Sequence, residues 1–235
     1  MSAATASLPI DPGSPPALPA LAVAPWALSG TVLGAAIADA RLLEALGDKV
    51  AAPPYRAAPL APVLYVKPRH TLAGASAPFA LPRGAEAIEI AATVGLVIGS
   101  SASRVNEAEA RAHIAACMLV ADLGLPLASW YRPAAPARAL DGSCRLGAAV
   151  TDIAPQSFSL RVFVDGRLAQ QVDTARYRRT PAQLVADVSE FMTLAPGDVL
   201  LVGLPFDAPR AHAGQRVRVE GSGLGGFEFT VEGAR

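Results

Sequence analysis

The sequence predicts an α+β fold with more strand than helix, on three observations. Residues 86–99 (EAIEIAATVGLVIG) become an unbroken apolar, β-branched run, the pattern of a strand buried on both faces. Residues 160–164 and 168–172 flank Asp165-Gly166, a dipeptide whose turn preference closes a hairpin. From Pro196 onward short strands alternate with turns.

Residues 1–28 are rich in Ala, Pro and Ser, with prolines at 9, 12, 15, 16, 19 and 25, and read as an extended arm ahead of a domain at 29–235. Residues 31–38 are a short apolar strand ending at Asp39. Residues 40–46 place Leu42, Leu43 and Leu46 at helical spacing. Pro53, Pro54, Pro59 and Pro62 break the chain until the strand-like VLYVK at 63–67. After the long strand, Asn106 and Glu109 open a helix through a capping box, with Ala110, Ile114 and Cys117 on one face. An apolar segment at 118–123 then delivers a single carboxylate, Asp122. Thr180-Pro181 sets an N-cap with proline at the first helical position, and Leu184, Val188, Phe191 and Met192 form the apolar stripe. Strands follow at 199–203, 216–220 and 227–231.

Composition excludes several classes. The 235 residues contain 52% hydrophobic and 17% charged residues, too apolar for a disordered chain. Twenty basic residues balance twenty acidic ones, so no basic excess draws in nucleic acid or anionic lipid. Pro19, Pro25, Ser29 and Gly30 interrupt the uncharged N-terminal stretch, against a membrane span, and no Lys or Arg precedes it, against a secretory signal. Two cysteines, Cys117 and Cys144, with three histidines build neither a disulfide framework nor a Cys/His zinc site, which fits a reducing, cytoplasmic location.

Taken alone, the chemical signals are sparse. There is no Ser/His/Asp signature, no phosphate loop and no Cys-x-x-Cys, and GSGLGG at 221–226 precedes a strand, as a hairpin turn does. His113, inside a helix, and His212, in a Pro/Ala/Gly loop, read as structural. Lys67 at a strand end and Asp122 after an apolar run are stronger candidates, because a charge at the rim of a buried strand is costly unless paired. For Asp122 the plain alternative is a satisfied turn or cap carboxylate.

The order of segments resembles the fumarylacetoacetate hydrolase superfamily over about residues 30–231. It runs from KPRHTLAG at 67–74 through TVGLVIG at 93–99, VNEAEA at 105–110, Asp122, WYRP at 130–133, Asp141-Gly142, the Val164-Asp-Gly166 hairpin with Gln171 and Thr174, SEFMTL at 189–194, Pro196-Gly197-Asp198 and Gly203-Leu-Pro205. The fold this implies is a mostly-β sandwich roll with a few flanking helices. The Tyr-Arg-Pro and Asp-Gly segments look most like the isomerase/decarboxylase branch of 4-hydroxyphenylacetate (homoprotocatechuate) breakdown, built from two similar halves.

That resemblance implies decarboxylation of 5-oxopent-3-ene-1,2,5-tricarboxylate and isomerisation of 2-hydroxyhepta-2,4-dienedioate, with Mg2+ or Mn2+ stabilising an enolate beside a carboxylate. Metal-bearing relatives use two glutamates at i and i+2 of a strand, which point to one side, plus a later aspartate. Here Ala91 and Thr93 fall at the glutamate positions and only Asp122 matches, so tight metal binding is not expected; Glu89, on the same strand face, is offset by two residues. The family lysine falls at Arg138, which cannot act as a base at neutral pH. Leu204 replaces the threonine of the usual Gly-Thr-Pro turn, and Ala38 and Asp39 also depart from the pattern.

The expected role is therefore the N-terminal-type subunit, acting on a 2-oxo or 2-hydroxy dicarboxylate or tricarboxylate as a homodimer or beside a homologous metal-bearing subunit. Arg138 and Asp122 are the expected catalytic residues, Lys67 and Arg138 the expected carboxylate binders, and Asp122 the residual metal ligand, with Asp122 facing Arg138 as an ion pair. Arg132 is expected to anchor the loop after Asp122, and Cys144 to pack. A catalytically silent scaffold subunit is the alternative, and an acylpyruvase-type hydrolase a weaker one, since water activation there needs both metal and base.

Overall fold

The structure is a computed structural model and describes residues 22–23, 26–27, 30–127, 135–154 and 156–234. The expected arm at 1–28, apart from two short strand segments, and the WYRP segment with Arg132 lie outside the described residues.

Thirteen strands and four α-helices follow. The strands are β1 (Val32–Ala35), β2 (Leu64–Lys67), β3 (Leu72–Gly74), β4 (Phe79–Ala80), β5 (Ala87–Ile98), β6 (Ile114–Gly124) and β7 (Cys144–Val150). After these come β8 (Ser159–Val164), β9 (Arg167–Asp173), β10 (Val199–Leu201), β11 (Arg210–His212), β12 (Arg216–Gly221) and β13 (Gly225–Glu232). The helices are α1 (Ala40–Leu46), α2 (Glu107–Ala110), α3 (Ala135–Arg138) and α4 (Pro181–Ser189).

A large sheet runs β2-β1-β10-β5-β6-β7-β3, with β11 also paired to β5, and a five-stranded sheet runs β9-β8-β12-β13-β4. The large sheet must curl. β2 and β3 sit at opposite ends of its order, yet only Pro68 and a short 3-10 turn, Arg69–Thr71, separate them in the chain. Five residues span at most about 18 Å, whereas six strand spacings laid flat would need about 29 Å.

Side-chain alternation then divides the interior in two. Even-numbered β5 residues such as Ile88, Ile90, Val94 and Leu96 pack toward the second sheet, in one core with Leu160, Val219 and Phe229. On the inward face of the curl, Val97, Met118, Val120, Leu146 and Val199 form a second apolar core. Continuing along that inward face, β5 presents Val97, Gly95, Thr93, Ala91 and then Glu89, opposite Ala116, Met118, Val120, Asp122 and Gly124 of β6. The curl is apolar at its base and polar at its mouth.

The predicted helix from Asn106 is shorter than the periodicity suggests. The capping box forms, but α2 ends at Ala110, and Ile114 and Cys117 belong to β6. The eleven-residue β6 is laddered to β5 along nearly its whole length and to β7 from Cys117 to Asp122, and that long-range pairing outweighs the local helical spacing. Helix α4 starts as expected at Thr180, with Gln183 completing a capping box, and buries Leu184 and Val188. It stops at Ser189, which leaves Phe191 exposed instead of in the stripe. Among the described residues, no helix is long and apolar enough to cross a membrane.

Candidate active site

β2 sets the deepest layer of the site. Tyr65 and Lys67, two residues apart, point into the curl, while Val66 between them is exposed. Gly34 of β1 pairs with Tyr65, and any Cβ there would collide with the phenol ring, so the bare backbone makes the room. The Tyr65 hydroxyl donates to Asp122 Oδ2, and Lys67 Nζ lies 2.8 Å from Asp122 Oδ1. The ammonium also donates to Ser143 Oγ at 2.9 Å and to the backbone carbonyl of Arg138. Three hydrogens thus meet three protein acceptors. Burial, and next the Asp122 charge, push the Tyr65 phenol well above the usual range, so it stays a donor.

Above this layer opens a cavity of about 620 Å³, whose lining includes Glu89, Ala91, Arg138, Leu204, Phe206 and Arg210. Arg138 ends the short helix α3 and is buried, its guanidinium lying over the bare backbone of Gly124. Its Nη2 is 3.5 Å from Glu89 Oε2, and Arg210 Nη2 is 3.5 Å from Glu89 Oε1. Nε and Nη1 of Arg138 are buried and donate to no acceptor among the described residues. Asp39 holds one wall: it caps α1, accepts from the Arg41 guanidinium, and accepts from the Phe206 N–H at 3.0 Å. Burial raises the Asp39 carboxyl, but the Arg41 guanidinium and the two N–H donors outweigh it and hold the group below its usual range.

Of Lys67, Asp122 and Arg138, the residues expected to act, Arg138 alone lines the cavity; Glu89, considered beside the ligand positions, lines it too. The cation facing Asp122 is Lys67, not Arg138 as expected, and Arg138 faces Glu89 instead. Register is the reason: Ala91 pairs with Asp122, and Glu89 pairs with Gly124. Lys67, expected on a substrate carboxylate, is fully buried with its hydrogens committed to the protein. Ala91 packs with Tyr65 and Leu204, and the Thr93 hydroxyl accepts from the Gly203 N–H at 3.4 Å. The ring nitrogens of His70, His113 and His212 face carbonyl or hydroxyl groups away from this cavity. Cys144 is buried beside the pair, its thiol pushed up to about 12 by burial.

Sequence reasoning missed Tyr65, Ser143 and Arg210. Tyr65 carried a usable signal, being two residues from Lys67 on the same strand. Arg210 carried none, because only the β11–β5 register brings it opposite Glu89.

A family model described as fumarylacetoacetate (FAA) hydrolase C-terminal matches residues 31–232. The chain is 36% identical over 204 residues to the 4-hydroxyphenylacetate degradation bifunctional isomerase/decarboxylase of Escherichia coli, an alignment covering 87% of this chain and 47% of that protein. It therefore spans about half the length of these curated relatives. Among solved structures, 5-carboxymethyl-2-hydroxymuconate delta-isomerase from Mycobacterium smegmatis superposes with TM-score 0.72 at 26% identity, over 86% of this chain and 76% of that one. The fumarylpyruvate hydrolase of Pseudomonas aeruginosa, solved with Mn2+ and pyruvate, superposes with TM-score 0.75 at 20% identity over 86% and 89%, a likeness of fold alone. The curled sheet, the order of motifs and a match across nearly the whole described domain agree: the chain belongs to the fumarylacetoacetate hydrolase family.

Proposed function

We propose that the chain is the N-terminal-type half of an isomerase/decarboxylase acting on 2-hydroxyhepta-2,4-dienedioate and related 2-oxo dicarboxylates or tricarboxylates in the cytoplasm, working beside a homologous metal-bearing half. The observation that carries the reading is Arg138. A buried guanidinium that lines a half-open cavity, with two nitrogens that donate to no acceptor among the described residues, favours an anion beside it. Its position matches the family lysine, and the substrates are carboxylates.

The family cation does not fit the residues present. Of the three ligand positions Ala91 offers no lone pair, Thr93 offers a hydroxyl already engaged with Gly203, and Asp122 is neutralised by Lys67 and bonded by Tyr65. A divalent ion would have to displace a buried ammonium to reach one carboxylate, so Asp122 serves this chain as an ion-pair partner and not as a metal ligand. In this reading Asp122 and Lys67 act through Arg138: the lysine grips the Arg138 carbonyl, which fixes the point from which the guanidinium enters the cavity.

Calorimetry on the isolated chain with heptanedioate, a saturated seven-carbon dicarboxylate, tests this. Binding is expected with or without Mg2+ or Mn2+. Stoichiometric, tight uptake of either ion by the chain alone would overturn it.

A further inference from the structure

A keto–enol isomerisation without a metal needs a group that carries a proton between oxygen and carbon. Arg138 cannot, since it keeps its proton, and Lys67 has every hydrogen committed to the protein interior. Two carboxylates line the cavity, Glu89 and Asp207, and Asp207 is exposed on the outer loop. Glu89 projects from the rigid strand β5, on the same face as Ala91, directly beside Arg138. Neither of its ion pairs, each at 3.5 Å, is a close hydrogen bond, so its oxygens retain room for a ligand donor. A guanidinium next to a loosely paired acceptor complements one fragment: a carboxylate adjacent to an enol hydroxyl.

We infer that Glu89 is the catalytic proton carrier of this cavity, taking the enol proton of a 2-hydroxydienedioate and returning it to carbon, with Arg210 as the positioning residue that holds the carboxylate from its other side. The inference rests on the reading of the cavity as a dicarboxylate isomerase site. The steps balance without a co-reactant. The enol O–H bond breaks, the proton passes to a Glu89 oxygen, and the O–H electron pair becomes the C2 carbonyl. The displaced π electrons form a new C–H bond at C3, or through the diene at C5, with the same proton. Arg138 faces the carboxylate and the oxygen that carries negative charge between the two transfers.

Glu89→Gln keeps the shape and removes the proton acceptor. Ketonisation of 2-hydroxyhepta-2,4-dienedioate, followed by loss of the dienol absorbance and by solvent deuterium incorporation at carbon, is expected to fall at least a hundredfold in kcat with KM changed less than about threefold. Glu89→Asp, which retains the acceptor on a shorter stem, is expected to recover part of the rate. Heptanedioate affinity of each variant, measured by calorimetry, separates a lost proton carrier from a collapsed site. Near-wild-type turnover by Glu89→Gln overturns the inference and leaves the dicarboxylate reading intact. If the wild-type chain binds heptanedioate but ketonises nothing, the proton carrier fails while the anion site stands; if it binds no dicarboxylate, both fall.

Discussion

Lys67 and Asp122 form an ion pair of 2.8 Å in which neither side chain is exposed to solvent. Such a pair adds little net stability, because desolvation offsets the attraction, but removing one partner strands the other charge. Lys67→Met is expected to destabilise the fold by about 3–5 kcal/mol in urea denaturation. Lys67→Met with Asp122→Leu is expected to be clearly more stable than Lys67→Met alone. Equal stability of the single and double variants would mean that the stranded carboxylate is not the source of the loss.

The same carboxylate depends on a phenol. Tyr65→Phe removes the donor to Asp122 Oδ2 without changing ring packing, leaving a buried oxygen short of a partner. The expected cost is about 1–3 kcal/mol, read as a lowered urea midpoint with an unchanged slope. A midpoint equal to that of the wild type would show that Lys67 and Ser143 satisfy the cluster alone.

Alkaline stability should carry the signature of the buried thiols. Cys117 and Cys144 are both pushed up to about 12 by burial, against about 9 when unfolded. A raised folded value means that the neutral thiol is favoured by folding. The stabilisation is complete below pH 9 and is lost as pH rises from there toward 12, at about 1.4 kcal/mol per pH unit for each fully protected thiol. Cys144→Ala should therefore lose less stability than the wild type between pH 9 and pH 11 in paired urea titrations, whatever its cost at pH 7. Parallel curves over that interval would contradict the protection of Cys144.

How far the sequence could be read follows from which interactions are local. The run at 86–99, the Asp165-Gly166 hairpin and the Thr180-Pro181 cap announce themselves through neighbouring residues, and each forms where expected. β6 defeated local reading because Ala110, Ile114 and Cys117 satisfy a helical spacing that only the two flanking strands overrule. The site divides in the same way. Arg138 could be placed by its position before Asp141-Gly142, but which charge meets which depends on the cross-strand register that sets Asp122 against Ala91 and Glu89 against Gly124. A one-residue change in that register would exchange faces along the strand. Short elements with no pattern of their own, such as β3, β4 and β11, form only because a longer strand offers them an edge.

Gly124 and Arg138 provide the most direct check on the cavity. A Cβ added at Gly124 would lie 2.5 Å from Arg138 Nη1, 2.7 Å from Cζ and 2.8 Å from Cδ, so the guanidinium rests where any other residue would place its side chain. Gly124→Ala must move the arginine, the softer of the two groups, because Gly124 is fixed at the end of the β5–β6 ladder. Loss of a charged hydrogen-bond donor is worth about 1.5–3 kcal/mol, so Arg138→Met should weaken heptanedioate binding roughly ten- to a hundredfold by calorimetry. Gly124→Ala should weaken it by about tenfold through displacement alone. In Gly124→Ala/Arg138→Met there is no guanidinium left to displace, so the double variant should bind no worse than Arg138→Met. Full additivity would mean that Gly124 acts on the cavity by some route other than Arg138, and the assignment of that guanidinium as the carboxylate anchor would not stand.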